Sequence, residues 1–146
     1  MKAYLAATLA LAVAAIGAET KIQMKELPPA VQSAVESQTN GAQIVGISKE
    51  TEKGKTVYEV ETRLNGKSRD ISFDGTGAVI EIEEQAALDS IPAAAKAAIA
   101  KKTVGGKIKT VETVTKGSTI VYEAAYTKAG KSHEFQVRAD GSDVQE

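Results

Sequence analysis

The alternation of hydrophobic and polar residues predicts two β-hairpins of nearly the same design. The stretch TVYEVETRLNGKSRDISFDGTG, residues 56–77, alternates apolar and polar positions on both sides of Asn65-Gly66. Asn-Gly favours a two-residue hairpin turn because both positions tolerate positive φ. A similar stretch, IVYEAAYTKAGKSHEFQVRADG, follows at an offset of 64 residues. The chain therefore carries the same hairpin pattern twice.

The similarity extends upstream of the hairpins. LPPAVQSAVESQTNGAQI from Leu27 aligns without a gap with IPAAAKAAIAKKTVGGKI from Ile91. Each segment has proline in a first helical turn, apolar residues at helical spacing and glycine at the end of the helix. The sequence thus predicts two units, each a helix followed by strands. The strands are predicted at residues 42–52, 56–64, 67–73 and 78–83, then at 107–116, 119–128 and 131–138, with a short last strand after Gly141.

The hairpin register indicates how each unit is packed. Tyr58 is expected opposite Phe73 and Val60 opposite Ile71, so these apolar side chains share one face of the sheet. The second unit places Tyr122 opposite Val137 and Ala124 opposite Phe135. The other face is polar, as in antiparallel sheets that are covered on one side only. The predicted fold class is α+β, a tandem repeat of a helix packed on a curved antiparallel sheet.

The N-terminus has the pattern of a secretory signal peptide. Lys2 precedes an apolar run at residues 4–16, and small residues follow, with cleavage expected near Gly17 or Ala18. The run is short for a bilayer span, which favours cleavage over a retained anchor. The expected location is periplasmic or secreted, with no membrane insertion after cleavage. The predicted divisions are 1–18 signal peptide, 19–83 first unit, 84–90 connection and 91–146 second unit.

Composition narrows the classes of partner. The chain has 18 Lys and Arg against 19 Asp and Glu, a formal net charge of −1, which gives no reason to expect nucleic acid or anionic membrane as a partner. It has no cysteine, so a disulfide framework is not available. Tryptophan is also absent, and large aromatic anchors are few. We expect a monomer rather than an oligomer.

Catalytic patterns are not found. Glycine-lysine pairs such as Gly66-Lys67 lack the upstream glycine of a phosphate-binding loop. His133 is the only histidine, which leaves no zinc site of ordinary composition and no nucleophile-elbow triad. We expect it to be partly buried at the end of the sheet, opposite Tyr126. The sequence predicts no enzyme, no cofactor, no metal-ligating residue and no catalytic residue.

One group of charged residues stands out on the predicted polar face. If residues 74–77 form a four-residue turn, Phe73 pairs with Ala78, and Asp70 then lies between Glu61 and Glu81. Carboxylates directly opposed across strands repel, so such a row calls for a cationic partner. A solvated face screened by Arg63 and salt is the alternative. The second unit has Ala125, Glu134 and Gln145 at the matching positions. The candidate partner- or cation-binding residues are Glu59, Glu61, Arg63, Asp70 and Glu81.

The caps, turns and core positions resemble a known family. They are Leu27-Pro28, Gly41-Ala42, Tyr58-Glu59-Val60, Gly66-Lys67, Phe73-Asp74 and Gly77, with Ile91-Pro92, Gly105, Tyr122-Glu123, Gly130-Lys131 and Gly141 in the second unit. This pattern resembles the PepSY-like, beta-lactamase-inhibitor-protein-like (BLIP-like) domains of bacterial cell envelopes. The resemblance implies helix-plus-sheet modules, often in tandem, that bind or inhibit other envelope proteins, and it implies no catalytic residues. The disulfides and aromatic-rich contact faces of the inhibitors are lacking, so lactamase inhibition is not expected.

Two functional hypotheses follow. The first is a non-enzymatic binding module that contacts a cell-envelope protein, as an inhibitor or regulator, through the polar face of its sheet. The alternative is a module that senses a divalent cation or small ligand through the acidic row of the first unit.

Overall fold

A computed structural model describes residues 19–144 of the chain. The predicted signal peptide, residues 1–18, and the last two residues, Gln145 and Glu146, lie outside the described residues. Two short 3-10 turns, at Met24–Glu26 and Leu88–Ser90, precede the two helices. The helices and strands, in chain order, are β1 (Thr20–Lys21), α1 (Pro29–Gln38), β2 (Gln43–Glu52), β3 (Lys55–Leu64), β4 (Lys67–Asp74), β5 (Val79–Gln85), α2 (Ala93–Lys102), β6 (Lys107–Lys116), β7 (Thr119–Lys128) and β8 (Lys131–Val137).

All eight strands form one antiparallel sheet in which each strand lies beside its neighbours in sequence. The α+β class is therefore confirmed. Strand β1 was not predicted, and the expected strand after Gly141 is only a single bridge between Val137 and Asp143. Strand β5 pairs with β6, for example through Gln85 and Glu112, so one continuous ladder joins the regions assigned to the two units.

The predicted hairpin registers are confirmed. Tyr58 pairs with Phe73 and Glu61 with Asp70 across β3 and β4. Tyr122 pairs with Val137 across β7 and β8. Asn65 has a φ of 53°, as the first position of the predicted turn requires.

Both helices pack on the same side of the sheet as its apolar rows. Val31 and Val35 of α1 lie in a cluster with Val60, Ile71 and Phe73, all of them buried. The cluster under α2 contains Ala95 and Ile99 with Ile91, Val111, Ala124 and Val137. Fully burying one Val, Ile or Phe side chain stabilises by about 1.5–3 kcal/mol, so these two clusters hold the helices on the sheet. Across residues 19–144, every helix is too short or too polar to span a bilayer.

Each helix is approached closely by a glycine in a loop. A Cβ atom on Gly77 would lie 2.6 Å from the carbonyl oxygen of Ala30, and one on Gly141 would lie 2.7 Å from that of Ala94. Both glycines also have a left-handed φ, of 84° and 82°. No other residue type fits these positions without moving the helix.

The predicted pairing of β4 with β5 is wrong. The expected partners of Phe73, Ile71 and Asp70 were Ala78, Ile80 and Glu81, whereas the observed partners are Val79, Ile82 and Glu83. The Oδ1 atom of Asp74 accepts hydrogen bonds from the backbone N–H groups of Thr76 (2.8 Å) and Ala78 (3.1 Å), which makes the loop longer than four residues. A β-bulge at Ser72/Phe73 completes the shift. The partners of Ile71 and Asp70 are shifted by two residues, which keeps Ile82 and Glu83 on their predicted faces, whereas the partner of Phe73 is shifted by one.

Candidate functional site

The polar face of the sheet is the side turned away from the helices. Side chains of a strand alternate between faces, and paired residues share a face, so the pairing defines its members. Within residues 19–144, both helices contribute to the core clusters on the opposite side, as do Met24 and Leu88 of the 3-10 turns. The charged residues of the polar face include Glu59, Glu61, Arg63, Asp70, Glu81, Glu83, Glu112, Lys116, Glu123 and Glu134.

Three of the predicted site residues lie together on β3 and β4. Glu61 faces Asp70 directly, as predicted. The guanidinium of Arg63 lies 3.8 Å from the Asp70 carboxylate, which also accepts the backbone N–H of Thr62 at 3.3 Å. The Glu61 carboxylate lies over Gly46, where an added Cβ would come within 3.2 Å of its Cδ atom. The first part of the acidic row is therefore present.

Glu81 does not occupy its expected place. It pairs with Ser72, on the same row as Glu59, instead of with Asp70. Its carboxylate forms an ion pair with Lys116 of β6, at 2.5 Å. The residue that faces Asp70 is Glu83. The row of opposed carboxylates is thus Glu61, Asp70 and Glu83.

Burial raises the pKa values of carboxyl groups in this row and beside it. It raises the pKa of Glu59 to about 7, with further contributions from the negative charges of Asp70 and Glu61. Burial also raises the pKa of Asp70, although the hydrogen bond from Thr62 and the charge of Arg63 act in the opposite direction. A freely solvated stripe would not perturb its carboxyl groups in this way.

Four further glutamates form a group that the sequence analysis missed. Glu83 pairs with Val114, and Glu112 precedes Val114 by two positions on the same face. Glu123 pairs with Glu112 across β6 and β7. Glu134 lies on β8 diagonally from Glu123, beside its partner Ala125. We call Glu83, Glu112, Glu123 and Glu134 the Glu83 cluster.

The centre of the Glu83 cluster is buried even though no described helix covers it. Glu83 is 8% exposed, Glu123 3% and Val114 0%. Val121 pairs with Val114 on the same face and is also buried. The glutamate side chains therefore pack around two buried valines, and this packing excludes water from the carboxyl groups at the centre.

Burial raises the pKa of Glu83 to about 10, and the negative charges of Glu81 and Glu123 add to the effect. A hydrogen bond to Glu81 acts in the same direction, as expected for a protonated Glu83 that donates to Glu81. The Oε1 atom of Glu83 is buried and has no hydrogen-bond partner. The folded chain therefore favours the neutral form of the Glu83 carboxyl group.

The other members of the cluster are perturbed in the same direction. Burial raises the pKa of Glu112 to about 7 and that of Glu134 to about 8, and the charge of Glu123 contributes to both. The pKa of Glu123 is raised by burial, against a hydrogen bond of 2.8 Å that the Gln136 amide donates to its Oε2 atom. Glu123 and Glu134 also affect each other's pKa directly.

Part of this cluster was visible in the sequence. The alternation of residues in β5 is consistent with Glu83 on the polar face, and a hairpin between β6 and β7 opposes Glu112 and Glu123. The missing information was the pairing of β5 with β6, which brings Glu83 beside them.

His133 and the acidic residues were also considered as catalytic or metal-binding groups. His133 pairs with Tyr126 as predicted and stacks on its ring at 5.1 Å, but it is exposed and not partly buried. Its position at the rim of β8 leaves it in water. In the part of the chain that the structure describes, no group of three or more His, Asp or Glu residues is arranged to hold a metal ion.

Comparison with protein families gives one match. Residues 30–83 match the PepSY model, described as the peptidase propeptide and YPEB domain. This segment runs from the start of α1 into β5 and so corresponds to most of the predicted first unit. Comparison with curated protein sequences gives no significant match.

Several solved structures share the fold. A candidate periplasmic protein from Bacteroides eggerthii is 19% identical, with a TM-score of 0.67 over 82% of this chain and 86% of the other. A DUF2874 family protein from Bacteroides uniformis is 19% identical, with a TM-score of 0.65 over 81% and 86%. A BLIP-like protein from Bacteroides fragilis is 15% identical, with a TM-score of 0.60 over 82% and 84%.

Proposed function

We propose that this PepSY-like chain, which has the fold of the BLIP-like proteins, is a non-enzymatic periplasmic module that binds a protein partner through the polar face of its sheet. The observation that carries the proposal is the buried carboxyl group of Glu83, whose Oε1 atom has no hydrogen-bond partner. Leaving a buried polar group unsatisfied costs about 1–3 kcal/mol. Perturbed and unsatisfied groups of this kind concentrate where a protein binds something.

The rest of the polar face supports the same function. It carries many acids but few cations, Arg63 and Lys116 among them, while the opposite face is covered by the helices. The sheet itself is rigid, because each strand between β2 and β7 is paired on both sides. A rigid and strongly charged surface suits the recognition of a partner of opposite charge.

The proposed location rests on the N-terminal sequence and on the family. Residues 1–18 have the composition of a signal peptide, and the protein from Bacteroides eggerthii is named as a candidate periplasmic protein. We expect mass spectrometry of the mature protein to find an N-terminus near Ala18 or Glu19. Recovery of only the full-length chain in the membrane fraction would contradict the location.

We further propose that residues 19–83 and 91–146 are copies of one ancestral unit. The gap-free offset of 64 supports this, since it carries Ala30 onto Ala94 and Gly77 onto Gly141. These pairs make the same close approach between loop and helix, with nearly equal distances of 2.6 and 2.7 Å. The second unit has no described counterpart of β5, so the polar face is not symmetric.

Charge reversal tests the proposed binding face. Immobilised parent protein is used to capture partners from envelope extract, in parallel with Glu61→Lys on the polar face and Glu36→Lys on α1. Glu36 is exposed on the helical side, so the two variants make the same charge change on opposite faces. We expect the captured partner to be lost with Glu61→Lys and kept with Glu36→Lys. The reverse result, with both variants melting like the parent, would contradict binding through the polar face.

The alternative function, sensing of a divalent cation or small ligand, is favoured by one observation. Asp70 lies directly between Glu61 and Glu83, and hard cations such as calcium prefer carboxylate oxygens. If calcium binds the folded chain at this row, it will raise the melting temperature of the parent more than that of Asp70→Asn. Absence of any calcium-dependent shift leaves the protein-binding function.

A further inference from the structure

We infer that the Glu83 cluster receives the ammonium or guanidinium group of a lysine or arginine side chain presented by a basic segment of the partner. This inference rests on the proposed binding through the polar face and names the chemistry that the face recognises. It concerns β5, β6, β7 and β8, none of whose cluster residues was predicted as a site.

The first step of the argument is the state of Glu83 itself. Glu83 is more than nine-tenths buried, with 8% of the residue exposed, and its Oε1 atom has no hydrogen-bond partner. The strand pairing turns this side chain toward Glu112 and Glu123, across Val114. The cluster therefore contains an acceptor that is already desolvated and lies within the influence of other acids, which is the arrangement a cationic donor satisfies.

The second step is the position of the cations on this face. Arg63 is placed against Asp70, and Lys116 against Glu81. These two ion pairs lie at either side of Glu83, which faces Asp70 across the strands and follows Glu81 along β5. The strongest influences on Glu83 are its burial and the negative charges of Glu81, Glu123 and Glu112.

In the unbound chain, bound protons reduce the negative charge of the Glu83 cluster. With pKa values of about 10 for Glu83, about 8 for Glu134 and about 7 for Glu112, the cluster holds protons at neutral pH. A bound ammonium group stabilises the ionised carboxylates and expels these protons. Binding is therefore coupled to proton release and strengthens as the pH rises. The charged groups that face the cluster are Arg63 of β3, Asp70 of β4, Glu81 of β5 and Lys116 of β6.

The shape of the cluster favours a side-chain cation over a metal ion. Val114 and Val121 lie among the glutamates on this face and are buried, so these two positions supply no oxygen atoms. Calcium requires six to eight oxygen ligands arranged around it. A lysine ammonium has three donors that point away from its stem, and the stem tolerates apolar surroundings. The carboxylate oxygens can thus accept from the ammonium group of a lysine, while the valines lie beside its aliphatic stem.

A binding experiment with a defined probe tests the inference. A synthetic oligolysine peptide is titrated into the full mature chain by calorimetry, in two buffers with different ionisation enthalpies, at acidic and at neutral pH. The same peptide with acetylated lysines, which has the same length without the charge, is the control. We expect the charged peptide alone to bind, more tightly at higher pH, with release of about one proton for each peptide bound.

Three variants locate the binding. Glu83→Gln keeps the shape of the neutral acid and is expected to weaken binding about tenfold or more and to reduce the proton release. Glu36→Gln, on the opposite side of the molecule, is expected to bind as the parent does. Glu61→Gln lies on the polar face outside the cluster and is expected to have a smaller effect than Glu83→Gln.

The possible failures are distinguishable. If Glu61→Gln weakens binding and Glu83→Gln does not, the inference is wrong while binding through the polar face stands. If both bind like the parent and Glu36→Gln does not, both proposals are wrong. Failure of the parent to bind oligolysine overturns the inference. The inference is also overturned if calcium releases protons in a way that depends on Glu83 while oligolysine releases none.

Discussion

Replacing Glu83 by glutamine is expected to stabilise the protein at neutral pH. The pKa of Glu83 is raised from 4.5 to about 10 on folding, chiefly by burial. The unfolded chain therefore loses its proton as the pH rises through 4.5, while the folded chain keeps it. Because the folded state then binds more protons, the free energy of unfolding falls with rising pH from about 4.5 until the folded group itself ionises.

The magnitude follows from the width of this interval. Each pKa unit corresponds to about 1.36 kcal/mol, so between pH 4.5 and pH 7 the carboxyl group costs at most about 3.4 kcal/mol of stability. Local rearrangement of the long glutamate side chains lowers this cost. Glutamine does not titrate, and its amide N–H group can donate to Glu81 as the protonated acid does. We expect Glu83→Gln to raise the free energy of unfolding by about 1–3 kcal/mol at pH 7.

The assay is urea denaturation of parent and variant at pH 7 and near pH 4.5. Glu84→Gln is the matched control, since Glu84 is the next residue of β5, 53% exposed and paired with Arg69 at 3.0 Å. Loss of that exposed ion pair is expected to cost no more than about 1 kcal/mol. The gain from Glu83→Gln should nearly vanish near pH 4.5. An equal gain at both pH values would show that the gain does not come from the raised pKa of Glu83. No gain at pH 7 would show that Glu83 is ionised and solvated in the folded chain.

Three other predictions address the row, the loop glycines and the sheet. Asp70→Asn keeps an acceptor for the Thr62 N–H and removes one of two opposed charges, so chemical denaturation should show a gain of some tenths of a kcal/mol, and a clear loss would contradict the repulsion. Gly77→Ala and Gly141→Ala should each cost about 1–3 kcal/mol, whereas Gly75→Ala, which meets no atom within 4 Å, should cost little; equal costs would refute the close approach. Cutting the chain near Leu88 should give fragments that melt below the whole, since the ladder between β5 and β6 is lost, and fragments as stable as the parent would show independent units.

Local sequence signals were sufficient for most of the fold. The Asn65-Gly66 turn determined the register of β3 and β4, because two-residue turns of this type leave little freedom in the pairing. Proline at the start and glycine after the end marked both helices to within a few residues. These features depend on neighbours in sequence, which is why a single chain was enough to predict them.

The site required non-local information. Asp74 lengthens its loop through side-chain hydrogen bonds that a count of turn residues does not include, and Glu81 was therefore placed opposite Asp70 in error. The burial of Glu83 depends on Val114, which lies in the other half of the chain. A glutamate in an alternating strand looks solvated until the strand beside it is known.

The register shift in the hairpin of β4 and β5 bears on how this surface can diverge among related proteins. A four-residue loop at 74–77, without the β-bulge at Ser72/Phe73, would slide β5 along β4 and bring Glu81, instead of Glu83, opposite Asp70. Ile80 would then replace Ile82 beside Ile71, so the hydrophobic side of the sheet would keep an isoleucine at that place. The geometry of this one hairpin thus determines which acids face each other, while the apolar face keeps residues of the same type. The charged surface can therefore differ between related proteins that share the fold.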